Sequence, residues 1–272
     1  MPAHVAALYR HPVKGLTPES CETLTVLPDG RVAGDRVLAF LLGDAPEAPA
    51  QATGADWWPK TNMLALVNTP ALARLTLRYD EAARRMSISL DGATLVEDTL
   101  DEAGRARIAG VVGTWAHQQA DHPRLDTPGR LPLRLIGDGT TPRYTDSSDG
   151  HVTVHGRSSL AALAGALDDP ALDERRFRSN IAIEGLDAWS ELGWPERVVR
   201  IGGITFEGVR PAVRCLATHA NPIDGARDRD VMNTLVRTFG HERPSFGVRL
   251  LARDVPAGGA VVRIGDPVEV IR

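Results

Sequence analysis

The feature that most constrains this chain is a repeated short alternation of apolar and polar residues, broken by turn signals. ARLTLRYD (73–80) and RRMSISLDG (84–92) alternate with a period of two and meet at DEAA, the pattern of a hairpin. HVAALY opens the chain, CETLTVL runs into the turn PDG, and RVAGDRVLAFLL follows. ERVVRIGGITFEGV and AVVRIGDPVEVI read as two further strand pairs joined by glycine-containing turns. Many short strands at regular spacing cover their edges best by closure or by stacking, so the expected fold is mainly β and barrel-like.

Helical spacing is rarer. LDEAGRARIAGVVGTWA, GRSSLAALAGAL with a serine as N-cap, and DRDVMNTLVRTFG ending at Gly240 predict helices; TNMLALVNTPALARL predicts a short one interrupted by Pro70. GDAPEAPAQATGADWWPK (43–60) reads as a surface insertion or a lid beside a site. The polar, proline-rich HQQADHPRLDTPGRLPLR (117–134) separates two halves, predicted as packed β-rich domains over 1–125 and 126–272.

The formal charge of -4 leaves no global basic footprint for nucleic acid or an anionic membrane, so any cationic site must be local. No window has the apolar length of a membrane span, and MPAHVAALYRHPVKG lacks the layout of a signal peptide. A cytoplasmic monomer is expected. Two cysteines, Cys21 and Cys215, form neither a disulfide framework nor a C-x-x-C site. P-loop, dinucleotide, zinc-protease and G-x-S-x-G motifs are missing. His151 and His155 in HVTVH stand four apart but lack an obvious third ligand.

Several residues can nevertheless carry chemistry. Lys14 in HPVKG sits at the end of the first strand, where it can reach an anion or simply face solvent. Arg36 in GDR either pairs with Asp35 or grips an anion. In RRFRSNIAIEG (175–185), strand alternation puts Arg178 and Asn180 on one face and Ser179, Ile181 and Ile183 on the other. A guanidinium fork beside an amide suits an oxygen-rich planar ligand. Cys215 lies between Arg214 and the polar loop NPIDG. A thiol there is either a buried inert residue or a thiolate, hence a nucleophile or soft-metal ligand. His219 is the nearest base in sequence.

The order of these motifs, YRHPVKG, GDR, RRFRSNIAIEG, VRC with NPIDGARD, FGVRL and VRIGDPVEV, resembles the MOSC family, relatives of the C-terminal domain of molybdenum cofactor sulfurase. The resemblance spans essentially the whole chain. It implies an N-terminal β-barrel domain, a MOSC domain and a bound molybdenum cofactor (molybdopterin). Cys215 matches the molybdenum-ligating, catalytic cysteine. Lys14, Arg36, Arg178, Asn180 and Ser159 match cofactor contacts, and Arg214 flanks the ligand cysteine and helps keep it ionised. Amidoxime-reducing members imply an oxidoreductase acting on N-hydroxylated or N-oxide small molecules, with electrons from a separate protein. A cofactor carrier or sulfur-handling module is the alternative. The chain departs from the family at Gly15, where a serine is usual and Thr17 is a substitute hydroxyl, at Ser179 for proline, and at Asn221 for aspartate.

Overall fold

The computed structural model describes residues 2–46, 62–146 and 150–271; most of the stretch read as an insertion or lid (43–60) lies outside them. The alternating segments form β1 (His4–Arg10), β2 (Glu19–Cys21), β3 (Thr23–Val26) and β4 (Ala39–Leu41). The predicted hairpin is β5 (Leu75–Asp80) against β6 (Arg85–Leu90), in register from Leu75–Leu90 to Asp80–Arg85, and β7 (Ala93–Thr99) extends it. After α1 (Glu102–His117) come β8 (Arg134–Ile136), β9 (Val152–Gly156), α2 (Arg157–Ala166), β10 (Ile181–Glu184), β11 (Val198–Ile201) and β12 (Ile204–Val213). The chain ends with α3 (Val231–Arg237), β13 (Ser245–Arg253), β14 (Ala260–Arg263) and β15 (Val268–Val270). The fold is mainly β with few helices, as the alternation predicts.

No sheet among the described residues closes into a barrel, which corrects the barrel expectation. The largest sheet is open, in the order β15-β11-β12-β13-β9-β10-β1-β2. Its outer strands, β2 and β15, are three residues long, and short edges remove the need for closure. Its one parallel pair is β9 with β10, joined through α2. The run AVVRIGDPVEVI is not a hairpin: β14 pairs with β3, and β15 pairs with β11.

Local chemistry explains the helix ends. The Asp101 carboxylate accepts the Gly104 N–H at 2.7 Å and starts α1, whose Ile108, Val112 and Trp115 are buried. The N-cap of α2 is Gly156 rather than a serine; Ser158 and Ser159 fall inside the first turn and bond elsewhere. The segment around Pro70 makes only a 3-10 turn, Pro70–Arg74. One apolar cluster gathers residues from Val13 to Tyr144, including Phe40, Leu64 and Ile108. A second joins Val5, Leu8 and Leu24 to Val154, Phe206, Val248 and Val262, and a third packs Leu163, Phe177, Leu235 and Phe246.

Candidate functional site

The cleft begins with two loops clipped to each other. The Arg36 N–H donates to the His11 carbonyl at 2.6 Å, and Lys14 N–H to the Leu38 carbonyl at 2.9 Å, so HPVKG and GDR run side by side. Gly15 has a φ of +87°, and an added Cβ would lie 3.1 Å from the Leu64 carbonyl oxygen and the Ala65 Cα. That accounts for glycine where serine is usual. Thr17 does not replace the lost hydroxyl, because its own donates to Leu75 O at 3.0 Å and accepts from Leu77 N–H at 2.9 Å.

Asp35 is the buried anchor of this corner. Its carboxylate accepts the His11 backbone N–H at 2.7 Å, faces His11 Nδ1 at 3.3 Å and pairs with Arg36 Nη1. Burial, opposed by these donors and outweighed, leaves Asp35 well below the usual carboxylate range. Burial first, then the Arg178 charge, hold His11 neutral by lowering it to about 3. Arg36 reaches on with Nη2 to the Arg178 carbonyl at 3.3 Å.

Arg178 is not in a strand. It caps the 3-10 turn Glu174–Phe177 in the left-handed region, at a φ of 51°, and β10 starts only at Ile181. Strand alternation therefore does not apply to it. Its Nη1 donates to the Leu16 carbonyl, while Nη2 is buried without a partner among the described residues. Burial and then the neighbouring Arg36 charge lower it to about 10. Lys14 Nζ donates to Tyr144 O at 2.7 Å and Asp146 Oδ1 at 3.0 Å; burial pulls it below the ordinary lysine value.

Cys215 follows β12 and caps a 3-10 turn, Leu216–His219, with its carbonyl accepting Thr218 N–H and Oγ1 at 3.0 Å each. Its thiol is free and half-buried. Two adjoining recesses share Cys215, Arg36, Arg178, Asp146 and Ala217. Lys14 lines one; Arg176, Arg214, Arg249, His151 and Thr153 line the other. The result is a cleft with six cationic side chains around one free thiol, an arrangement that attracts anions locally despite the negative chain.

Four of the sequence-derived candidates, Lys14, Arg36, Arg178 and Cys215, thus come together. Arg214 lines the wall, but its guanidinium is committed: Nε donates to Phe246 O at 2.9 Å and Nη1 to Phe177 O at 2.8 Å, above the stacked Phe177 and Phe246 rings. Burial and the Arg249 charge lower it to about 9. Asn180 and Ser159 lie outside the lining. Asn180 Nδ2 donates to Tyr9 O at 3.2 Å, and its Oδ1 accepts Thr153 N–H at 3.3 Å, tying β1 to β9. Ser159 Oγ donates to Glu191 at 2.9 Å and accepts Trp189 N–H at 2.8 Å. His219 also lies outside the lining, its Nε2 accepting Met232 N–H at 3.3 Å.

Sequence reasoning missed Arg176, Asp146 and Arg249. Arg249 had a signal: Val248 and Leu250 are buried core residues, so alternation puts it on the opposite face. Asp146 in a polar loop and Arg176 in a 3-10 turn carried none. Among the described residues, the metal-capable trio is His117, His122 and Asp126, not the HVTVH pair. Leu125 N–H donates to His122 Nδ1 at 3.0 Å, which leaves the ring proton on the Nε2 that faces Asp126. His122 thus presents a donor, not a lone pair, to a cation.

The β-rich fold thus places a free thiol in a cationic cleft, a setting that suits an anionic ligand. The MOSC domain family model matches residues 141–269 of the chain, and that family is associated with the molybdenum cofactor. Among solved structures it is similar to the YuaD protein from Bacillus subtilis, with 9% identity and a TM-score of 0.44, over 99% of this chain and 96% of that one. It is also similar to YiiM from Geobacillus stearothermophilus, with 11% identity and a TM-score of 0.32, over 44% of this chain and 54% of that one. At these scores the likenesses carry no argument about the site. No helix among the described residues is long and apolar enough to cross a membrane.

Proposed function

We propose that the cleft binds the molybdenum cofactor and that the protein reduces N-hydroxylated or N-oxide small molecules. The observation that supports this best is the free Cys215 thiol in one cleft with Arg178, whose buried Nη2 has no partner among the described residues. A buried guanidinium N–H without a partner is costly, and an anionic ligand supplies the missing acceptor. The donor set fits: a thiolate suits a soft metal centre, and Lys14, Arg36 and Arg178 suit a phosphate and a polar heterocycle.

When bound, the cofactor supplies two-electron redox chemistry at molybdenum. The chain's residues do the rest. Cys215 Sγ is the ligand offered to the metal. Arg36 and Arg178 hold the anionic parts, and Asp35 keeps Arg36 aimed. Lys14, tied to Tyr144 O and Asp146, adds its charge to the recess it lines. The electrons come from a separate donor protein, in a reducing cytoplasmic setting where the thiol stays free. The test is reduction of benzamidoxime by chemically reduced protein from cells grown with molybdate. Turnover that requires molybdenum supports the reading; bound cofactor without turnover assigns the protein to carriage of the cofactor instead.

A further inference from the structure

Arg176 differs from the other arginines of the cleft. Its side chain is only 2% exposed, and it pairs with Asp228 Oδ1 at 2.8 Å. Its Nη1 donates to the His219 carbonyl at 3.1 Å, the end of the turn that Cys215 caps. Asp228 in turn accepts Asn221 Nδ2 at 2.9 Å. Asn221 organises the intervening loop: its Oδ1 accepts Ile223 N–H at 2.9 Å, its N–H donates to Ala226 O at 2.8 Å, and its carbonyl accepts Gly225 N–H at 2.9 Å. One guanidinium therefore closes the segment from Cys215 to Asp228, and it belongs to the same 3-10 turn that presents Arg178.

We propose that Arg176 and Asp228 are positioning residues for Cys215. The ion pair fixes the loop bearing the thiol to the turn bearing Arg178, and Asp228 neutralises Arg176 so that it braces the loop rather than binding an anion. This rests on Cys215 being the working thiol of the cleft. A lysine at 176 cannot serve, because a single ammonium cannot span the His219 carbonyl and the Asp228 carboxylate as a planar fork does. The charged and titratable groups that share the cleft with Cys215 are Lys14, Arg36, Asp146, His151, Arg176, Arg178, Arg214 and Arg249. Removing the Asp228 charge unpairs Arg176 and releases the loop that carries the thiol.

The test is the rate of iodoacetamide alkylation at one fixed pH, read at Cys215 and Cys21 separately by peptide mass spectrometry. It uses full-length protein from cells grown without added molybdate. For Asp228→Asn we expect the loosened loop to expose Cys215, which then reacts about tenfold faster, with Cys21 unchanged and Asp228→Glu restoring the parent rate. If Asp228→Asn does not fold, Asn221→Ala loosens the same loop and must raise the Cys215 rate. An unchanged Cys215 rate in a folded variant overturns the proposal. Molybdenum content of the parent is measured separately, so a failure of the cofactor reading is distinguishable from a failure of the clasp.

Discussion

Arg36 and Arg178 share an uncommon backbone state and a direct bond: both lie in the left-handed region, at φ of 53° and 51°, and Arg36 Nη2 donates to the Arg178 carbonyl at 3.3 Å. Non-glycine residues are held there only when surrounding structure demands it, and such positions gather at functional sites. Here the demand comes from Asp35 below and from the short turns that aim both side chains into one cleft.

Arg178→Ala and Arg178→Gly separate side chain from backbone. Both remove the anchor, whose charge-assisted bonds are worth about 1.5–3 kcal/mol, so cofactor content falls at least tenfold in each. Alanine keeps the left-handed strain, whereas glycine relieves it, so Arg178→Gly is more stable than Arg178→Ala by up to about 1 kcal/mol. Metal analysis and urea unfolding check the two parts.

Anion binding should stabilise the fold. Burial and like neighbouring charges lower Arg178 to about 10 and Arg214 to about 9, so holding both charged costs the folded chain stability at neutral pH, a cost that a neutralising charge relieves. An anion in the cleft gives the same relief at pH 7.5. Pyrophosphate at ten times its Kd should raise Tm by about 3 °C at low salt. In Arg36→Ala, Arg178→Ala protein, calorimetry should show no such rise.

His11 makes stability fall with acid. The folded protein keeps it neutral down to about 3, while the unfolded chain protonates near its ordinary value of about 6.5. Stability is therefore full above about pH 6.5 and declines as pH drops toward 3, by of the order of 4 kcal/mol in all. His11→Gln removes that slope. Urea midpoints between pH 7 and 5, where most carboxylates remain ionised, are the measurement.

Gly15→Ser, which restores the usual family residue, is expected to destabilise. At a φ of +87°, with the Leu64 carbonyl 3.1 Å from the new Cβ, the loop must shift. The cost is about 1–2 kcal/mol or more, read as a lower thermal midpoint. A variant as stable as the parent contradicts this account of the departure.

The strands of the fold were legible because alternation in segments such as LTLRYD and RMSISL survives tertiary packing unchanged: Leu75, Leu77 and Tyr79 point inward and Thr76, Arg78 and Asp80 outward. Strand partners were not legible. Pairing of β14 with β3 joins residues more than two hundred positions apart, and nothing local in AVVRIGDPVEVI encodes it. In the site, Arg178 was found for the wrong local reason. A left-handed cap breaks the period of two, so its apparent shared face with Asn180 does not exist, and Asn180 serves the backbone instead. Arg176 and Asp228 were invisible because an ion pair that closes a loop depends on the loop's three-dimensional path.

The most direct test of the central claim is the molybdenum and pterin content per chain of the parent and of Cys215→Ser, purified from cells grown with molybdate. Serine preserves size but offers a harder and far less acidic ligand, while Lys14, Arg36 and Arg178 remain. The account predicts molybdenum and pterin together in the parent, and pterin retained in part but molybdenum-dependent turnover abolished in Cys215→Ser. A parent without molybdenum or pterin, or a Cys215→Ser protein that turns over like the parent, contradicts it.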